Sequence, residues 1–201
     1  MVRISWASRS GDFAHEVNRL GIAANDTTSG LAFVSMVADR VRAELEREPS
    51  RNVFGRIAAL ALTRTLNAEL LEGQPGLFNS TAGSLKQSVR ELSKQSHFER
   101  ASHRYFGDFL SRTLTYFLDR EAANSLGTGQ ALASVADTQR LLDDVDRHAH
   151  QSARILRNFA GDWYSKHQWE SKGEISRDEA HAFVAQALKK LRSELKLESQ
   201  R

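Results

Sequence analysis

SHRYFGDFLSRTLTYFLDREAANSL, residues 102–126, is the stretch on which the fold turns. At about 100° per residue, Tyr105, Phe106, Phe109, Leu110, Leu114, Tyr116, Phe117 and Leu118 spread over roughly 220° of a helix circumference. Asp108, Ser111, Arg112, Thr115 and Asp119 occupy the narrow strip that remains. An ordinary surface helix carries an apolar stripe of ~100°. A stripe about twice that width needs cover on several sides. This segment is therefore expected to be the central, buried helix of an all-α bundle of six or seven helices.

Working outward, a short helix is expected over 12–20, with Phe13, Val17 and Leu20 on one face. Gly21 is placed to take the left-handed position after it, and Ile22 to fold back as the hydrophobic contact. The next helix runs from about Leu31 to Arg47 on a stripe of Leu31, Val34, Ala38, Val41 and Leu45, stopped by Pro49. A third, Val53 to Leu71, is apolar enough all round to be well buried, and Gly73 and Pro75 stop it. Leu85, Val89 and Leu92 give a thin stripe on an otherwise polar helix that either continues into the central one or breaks near Gln95-Ser96. The central helix ends at Gly127.

A long helix is expected over 132–169, with Leu142, Val145, Ala149, Ser152, Leu156, Phe159 and Trp163 as a heptad-like seam and Gly161 as a point of bending. The last helix opens with a capping box, Ser176 and Glu179, stapled by Ile175 and Ala180. Val2 to Trp6 is the one strand-like run. The reading is of a single domain over 1–201, with 1–28 loosely attached and 197–201 frayed.

Composition narrows the classes. The chain has 28 Lys and Arg against 25 Asp and Glu, a net charge of +3, and no cysteine, so disulfides, thiolate metal sites and a cysteine nucleophile are excluded. The longest apolar run, Ile57 to Leu62, is far short of the ~20 residues of a membrane span. The N-terminus has no apolar signal-peptide core, and a cytoplasmic location with no membrane attachment is expected.

The residues that carry chemistry form no recognised motif. Asp144–His148 and Asp146–His150 are i, i+4 pairs, but His148 and His150 point to opposite sides of a helix and cannot share an ion. His148 falls beside the seam and reads as a core or interface histidine. Glu99–His103 is a third such pair, on a solvated face. Gly127-Thr128-Gly129 follows a helix, where a phosphate loop would follow a strand. No catalytic residue, metal site or cofactor is assigned.

Two surface features remain. Lys86, Arg90, Lys94 and Arg104 form a basic ridge if the helix carrying them is continuous, a geometry suited to a phosphate backbone or an acidic protein surface. Trp163, Tyr164 and Trp169 lie within GDWYSKHQWESKG, where they either anchor an interface or close the open end of the bundle. The leading expectation is a non-enzymatic helical binding protein, a subunit of a larger assembly through a protein partner or self-association. A nucleic-acid-backbone binder using the ridge is the second reading. An enzyme whose site is assembled in space from His103, His148 or His181 with carboxylates is the third.

Overall fold

The computed structural model describes residues 4, 7–8, 11–25, 27–47, 53–71, 82–125, 135–170 and 175–198; at 71, 82–84, 122–125, 135, 168–170 and 198 it describes the backbone alone. The described residues form eight helices and no strand: α1 Phe13–Arg19, α2 Gly30–Arg47, α3 Val53–Leu71, α4 Ala82–Glu91, α5 Gln95–Ser125, α6 Val135–Ser152, α7 Ile155–Glu170 and α8 Arg177–Glu198. The protein is an all-α helical bundle. Among the described residues no helix is long and apolar enough to cross a membrane. Of the strand-like run only Ile4 is described, and it is helical and buried. The stops read at Pro49, Gly73, Pro75 and Gly127 lie outside the described residues.

Local chemistry sets the helix ends. The Asp12 carboxylate accepts from His15 N–H at 2.9 Å to start α1. Gly21, at φ 77°, ends it, with Ile22 N–H reaching the Val17 carbonyl at 3.1 Å and Gly21 N–H that of Asn18 at 2.8 Å. That pair of bonds is the Schellman closure, and Ile22 is buried as its contact. Ser29 Oγ accepts from Ala32 N–H at 3.2 Å at the start of α2. At α8 the capping box is closed both ways: Ser176 N–H donates to Glu179 at 2.7 Å and Glu179 N–H to Ser176 Oγ at 3.1 Å.

Two apolar cores result. The first gathers α1 to α4, with Val17, Phe33, Val37, Leu66 and Val89 among its buried side chains. Residues 13–24, expected to be loosely attached, are thus packed into it: Phe13, Val17, Ile22 and Ala24 are all buried. On α2 the buried face is Gly30, Phe33, Val34 and Val37, while Leu31 is 47% exposed. The actual stripe includes Phe33, because α2 turns that ring against Phe13 at 6.0 Å. The second core gathers α5 to α8 around packed rings: Phe98 stacked on Tyr164 at 4.7 Å, Phe159 stacked on Phe183 at 5.5 Å, and Trp163 tilted against Phe183 at 4.7 Å.

α5 is central to this arrangement: it packs against α3, α6 and α7. Its first half is enclosed, with Phe98, Ala101, Phe106 and Leu110 buried. Its last turns emerge, and Phe117 is 51% exposed. The polar strip is the larger surprise. Asp108 and Ser111, expected to face water, are 2% and 8% exposed.

Two breaks occur, one close to the Gln95-Ser96 alternative and one within the segment expected to be a single helix over 132–169. α4 and α5 are separated at Leu92–Lys94, where Ser93 Oγ donates to the Arg90 carbonyl at 2.7 Å and its N–H bonds the same carbonyl at 3.0 Å. α6 and α7 part at Ala153-Arg154, one residue after buried Ser152 turns its hydroxyl back onto the His148 carbonyl at 2.9 Å. Such back-bonding competes with the helix ladder and bends it. Gly161 lies inside α7 without interrupting it.

Tyr164, fully buried, ties α7 to the first break by donating its hydroxyl to the Ser93 carbonyl at 2.8 Å. Tyr164→Phe should cost about 1–3 kcal/mol, the price of a buried carbonyl losing this donor. Tyr164→Ala should cost about 3–5 kcal/mol, because a cavity is added. Urea unfolding followed by circular dichroism measures both; equal stability of the Phe variant would show the bond to be idle.

Candidate functional site

The strip that the sequence marks as polar on α5 and one face of α3 together line an open groove of about 620 Å³. Val53, Arg56, Ile57, Leu60 and Arg64 recur every three or four residues along α3, so helical spacing alone aligns them. Asp108, Ser111, Arg112, Thr115, Tyr116 and Asp119 do the same on α5.

Asp108 is the floor. Its side chain is 3% exposed, and each of its oxygens meets a guanidinium: Arg64 from α3 at 2.6 Å and Arg112, one turn on, at 2.7 Å. Arg64 is 61% exposed and Arg112 35%, so both keep N–H groups toward the groove. Ser111 beside it donates to Asp146 on α6 at 2.8 Å. Arg56 is exposed and has no ion-pair or hydrogen-bond partner among the described residues. Three arginines against Asp108 and Asp119 leave the lining positive. Of the aromatic rings only Tyr116 lines the groove; Phe54 and Phe117, outside the lining, pack on it and on each other with centroids 5.5 to 6.3 Å apart. Phe54, Leu60 and Phe117 are 37%, 54% and 51% exposed. The site can hold a carboxylate at the guanidinium groups and cover an apolar side chain with the rings.

The residues singled out from sequence fare differently. Lys86 and Arg90 stand on α4, Lys94 in the turn, and Arg104 on α5, so the basic ridge is divided between two helices. Lys94 pairs with Glu91 and holds that carboxyl below its usual range. Arg104 turns toward α3, where it lies 3.6 Å from Glu69. Arg100 binds the same carboxylate at 2.6 Å, and the Glu69 side chain has no exposed surface. Trp163 and Tyr164 are core residues, 8% and 0% exposed, which corrects their reading as surface anchors. The side chain of Trp169 lies outside the described residues. No single feature of the sequence marks the groove: its residues are ordinary i, i+4 pairs until α3 and α5 are laid side by side.

The histidines also move. His148 is exposed, because α6 presents Ala149 to the core and turns the preceding residue outward. His150 faces α5: its ring would collide with a Cβ at Gly107, and it lies 6.0 Å from the His103 ring. His103 donates from Nε2 to the His150 carbonyl at 2.9 Å. Asp146 is 3.8 Å from His150 and accepts the hydrogen bond of the Ser111 hydroxyl directly. In a serine–histidine–carboxylate relay the imidazole stands between hydroxyl and carboxylate; here the carboxylate does. Among the described residues no group of three or more His, Cys, Asp or Glu side chains is arranged to hold a metal ion.

Neither a family model, nor a curated protein, nor a solved structure matches this chain.

Two outcomes follow from these contacts. Asp108→Ala should cost about 2 kcal/mol, less than a fully buried pair because the stranded arginines reach water; Arg64→Ala should cost under ~1 kcal/mol. Thermal and urea unfolding compare the two. Burial pulls His103 below the ordinary imidazole value of 6.5, aided by the nearby charges of His150, Arg157 and Arg154 and opposed by its bond to the His150 carbonyl. The unfolded chain then takes up the proton first, so stability is full above about pH 6.5 and declines as pH falls through the folded value. His103→Gln keeps the donor and should flatten that decline in a series of melting curves.

Proposed function

We propose that this chain is a non-enzymatic helical binding protein, and that it docks an amphipathic, acidic helix of a protein partner in the groove between α3 and α5. The observation that carries the reading is the pair Leu60 and Tyr116 in the lining of a groove whose guanidinium groups outnumber its carboxylates, with the exposed rings of Phe54 and Phe117 packed on Tyr116. Large exposed apolar side chains rimmed by charge are the usual mark of an interaction surface. Aromatic residues and arginine are enriched among those that dominate binding energy. A helix laid between two helices offers apolar side chains every three or four residues, in register with the rings. An Asp or Glu on the same face meets Arg56 and the free N–H groups of Arg64 and Arg112, and electrostatic complementarity of this kind selects the partner more than it tightens the complex.

The test compares wild type with Arg56→Glu/Leu60→Ser/Phe117→Ser. None of these positions is in either core, so melting curves should coincide. Affinity capture with quantitative mass spectrometry should then show a partner retained by wild type and depleted about 30-fold or more on the variant, the effect of losing one hot-spot residue. A captured set that is the same for both proteins would sink the groove as the docking surface. Light scattering on the purified chain separates self-association at the same face from binding of a different protein.

A further inference from the structure

A second cavity, of about 370 Å³, lies across α5 from the groove and is enclosed by α3, α5, α7 and α8. Its walls are the rings of Phe98, Phe106, Trp163 and Phe183, with Leu62 reaching in from α3. Two side chains of α8, Arg177 and His181, complete its lining one turn apart and are exposed to solvent. Neither has a hydrogen-bond partner among the described residues. Tyr105 lines the same space, and its hydroxyl also has no such partner there. Burial pushes that hydroxyl's pKa up, so it stays a neutral O–H donor.

We propose that this cavity binds a medium-chain monocarboxylate, with its acyl chain among the rings and its carboxylate at Arg177 and His181. The proposal is independent of the groove. An apolar interior with a few donors at one end is the general form of a small-molecule site. The donors fix the sign of the ligand: a cationic guanidinium and an imidazole at the mouth, with a phenol inside, favour an anion. Arg177 acts on the carboxylate of Glu44 on α2, and Glu44 is already bonded to Arg40 and Arg47. Asp178 and Glu179 share the first turn of α8 but do not line the cavity, and Glu179 is occupied by the capping box. Volume sets the chain length: at about 30 Å³ for each water-sized group, the space holds on the order of ten methylenes. Shape favours a flexible chain over a flat ring. The wall rings pack on one another, with centroids 6.3 Å apart for Phe98 and Trp163, 4.7 Å for Trp163 and Phe183 and 6.2 Å for Phe106 and Phe183, so no two of these stand far enough apart to take a planar ligand between them.

Decanoate, kept below the concentration at which it self-associates, is the probe, and 1-decanol is its neutral counterpart. Trp163 in the wall provides a fluorescence signal, and calorimetry provides an independent isotherm. Wild type should bind decanoate saturably and raise the melting temperature. Arg177→Gln/His181→Gln, both at exposed positions, should weaken decanoate about tenfold and leave decanol unchanged. Val184→Phe, which narrows the mouth at a residue already 40% exposed, should weaken both ligands. The groove variant should bind decanoate as wild type does, so failure here and failure of the docking reading are separable. No saturable binding, or binding indifferent to Val184→Phe, overturns the site. Equal affinity for acid and alcohol, unaffected by the double variant, overturns the assignment of the carboxylate.

Discussion

Two carboxylates buried along the contact of α3 with α5 hold the structure's halves to one another. Asp108 sits between Arg64 and Arg112, and Glu69 beneath Arg100 and Arg104. A carboxylate withdrawn from water is tolerable only when its oxygens are met by charged donors. Asp108 satisfies that condition with one guanidinium from its own helix and one from α3, and Glu69, on α3, with two from α5. The consequence is geometric. The register of α3 against α5 cannot slide without stranding a charge, whereas apolar contacts on their own would accept a shift.

That register places everything else. The apolar core of α1 to α4 lies on one side of the seam and the ring-rich core of α5 to α8 on the other. α5 gives Phe98, Phe106 and Leu110 to the second core and turns Arg100 and Asp108 to α3, and at its far end Phe117 emerges into solvent. The groove is the open continuation of the seam, and the second cavity is the gap left where α8 closes over α5 and α7. The groove lies toward the far end of α5 because a 31-residue helix, about 46 Å long, is longer than the partners packed on it.

Much of the architecture was legible in the chain. The width of the apolar arc on α5 announced a helix with several neighbours. Gly21 and the Ser176–Glu179 pair announced their caps, and each makes the bonds expected of it. These signals are short-range: a cap is decided by atoms within four residues, and an amphipathic face by the side chains of one helix. The candidate site was legible only in part. Asp108, Ser111, Arg112, Thr115 and Asp119 were visible as a polar strip, but a strip wetted by solvent and a strip pressed against a charged helix have the same sequence. Arg64 lies 44 residues away, and nothing local couples it to Asp108.

The chain by itself determined the helical class, most helix ends and the residues able to enter a core, because those follow from backbone hydrogen bonding and side-chain periodicity. Tertiary structure alone decided which polar residues are buried, that Trp163 and Tyr164 are interior, and that His150 and not His148 faces α5. Each of those depends on what a neighbouring helix supplies: a guanidinium for Asp108, a carbonyl for Tyr164, the absence of a Cβ at Gly107 for the ring of His150. A partner remote in sequence leaves no periodic trace, and its effect appears only when the helices are packed.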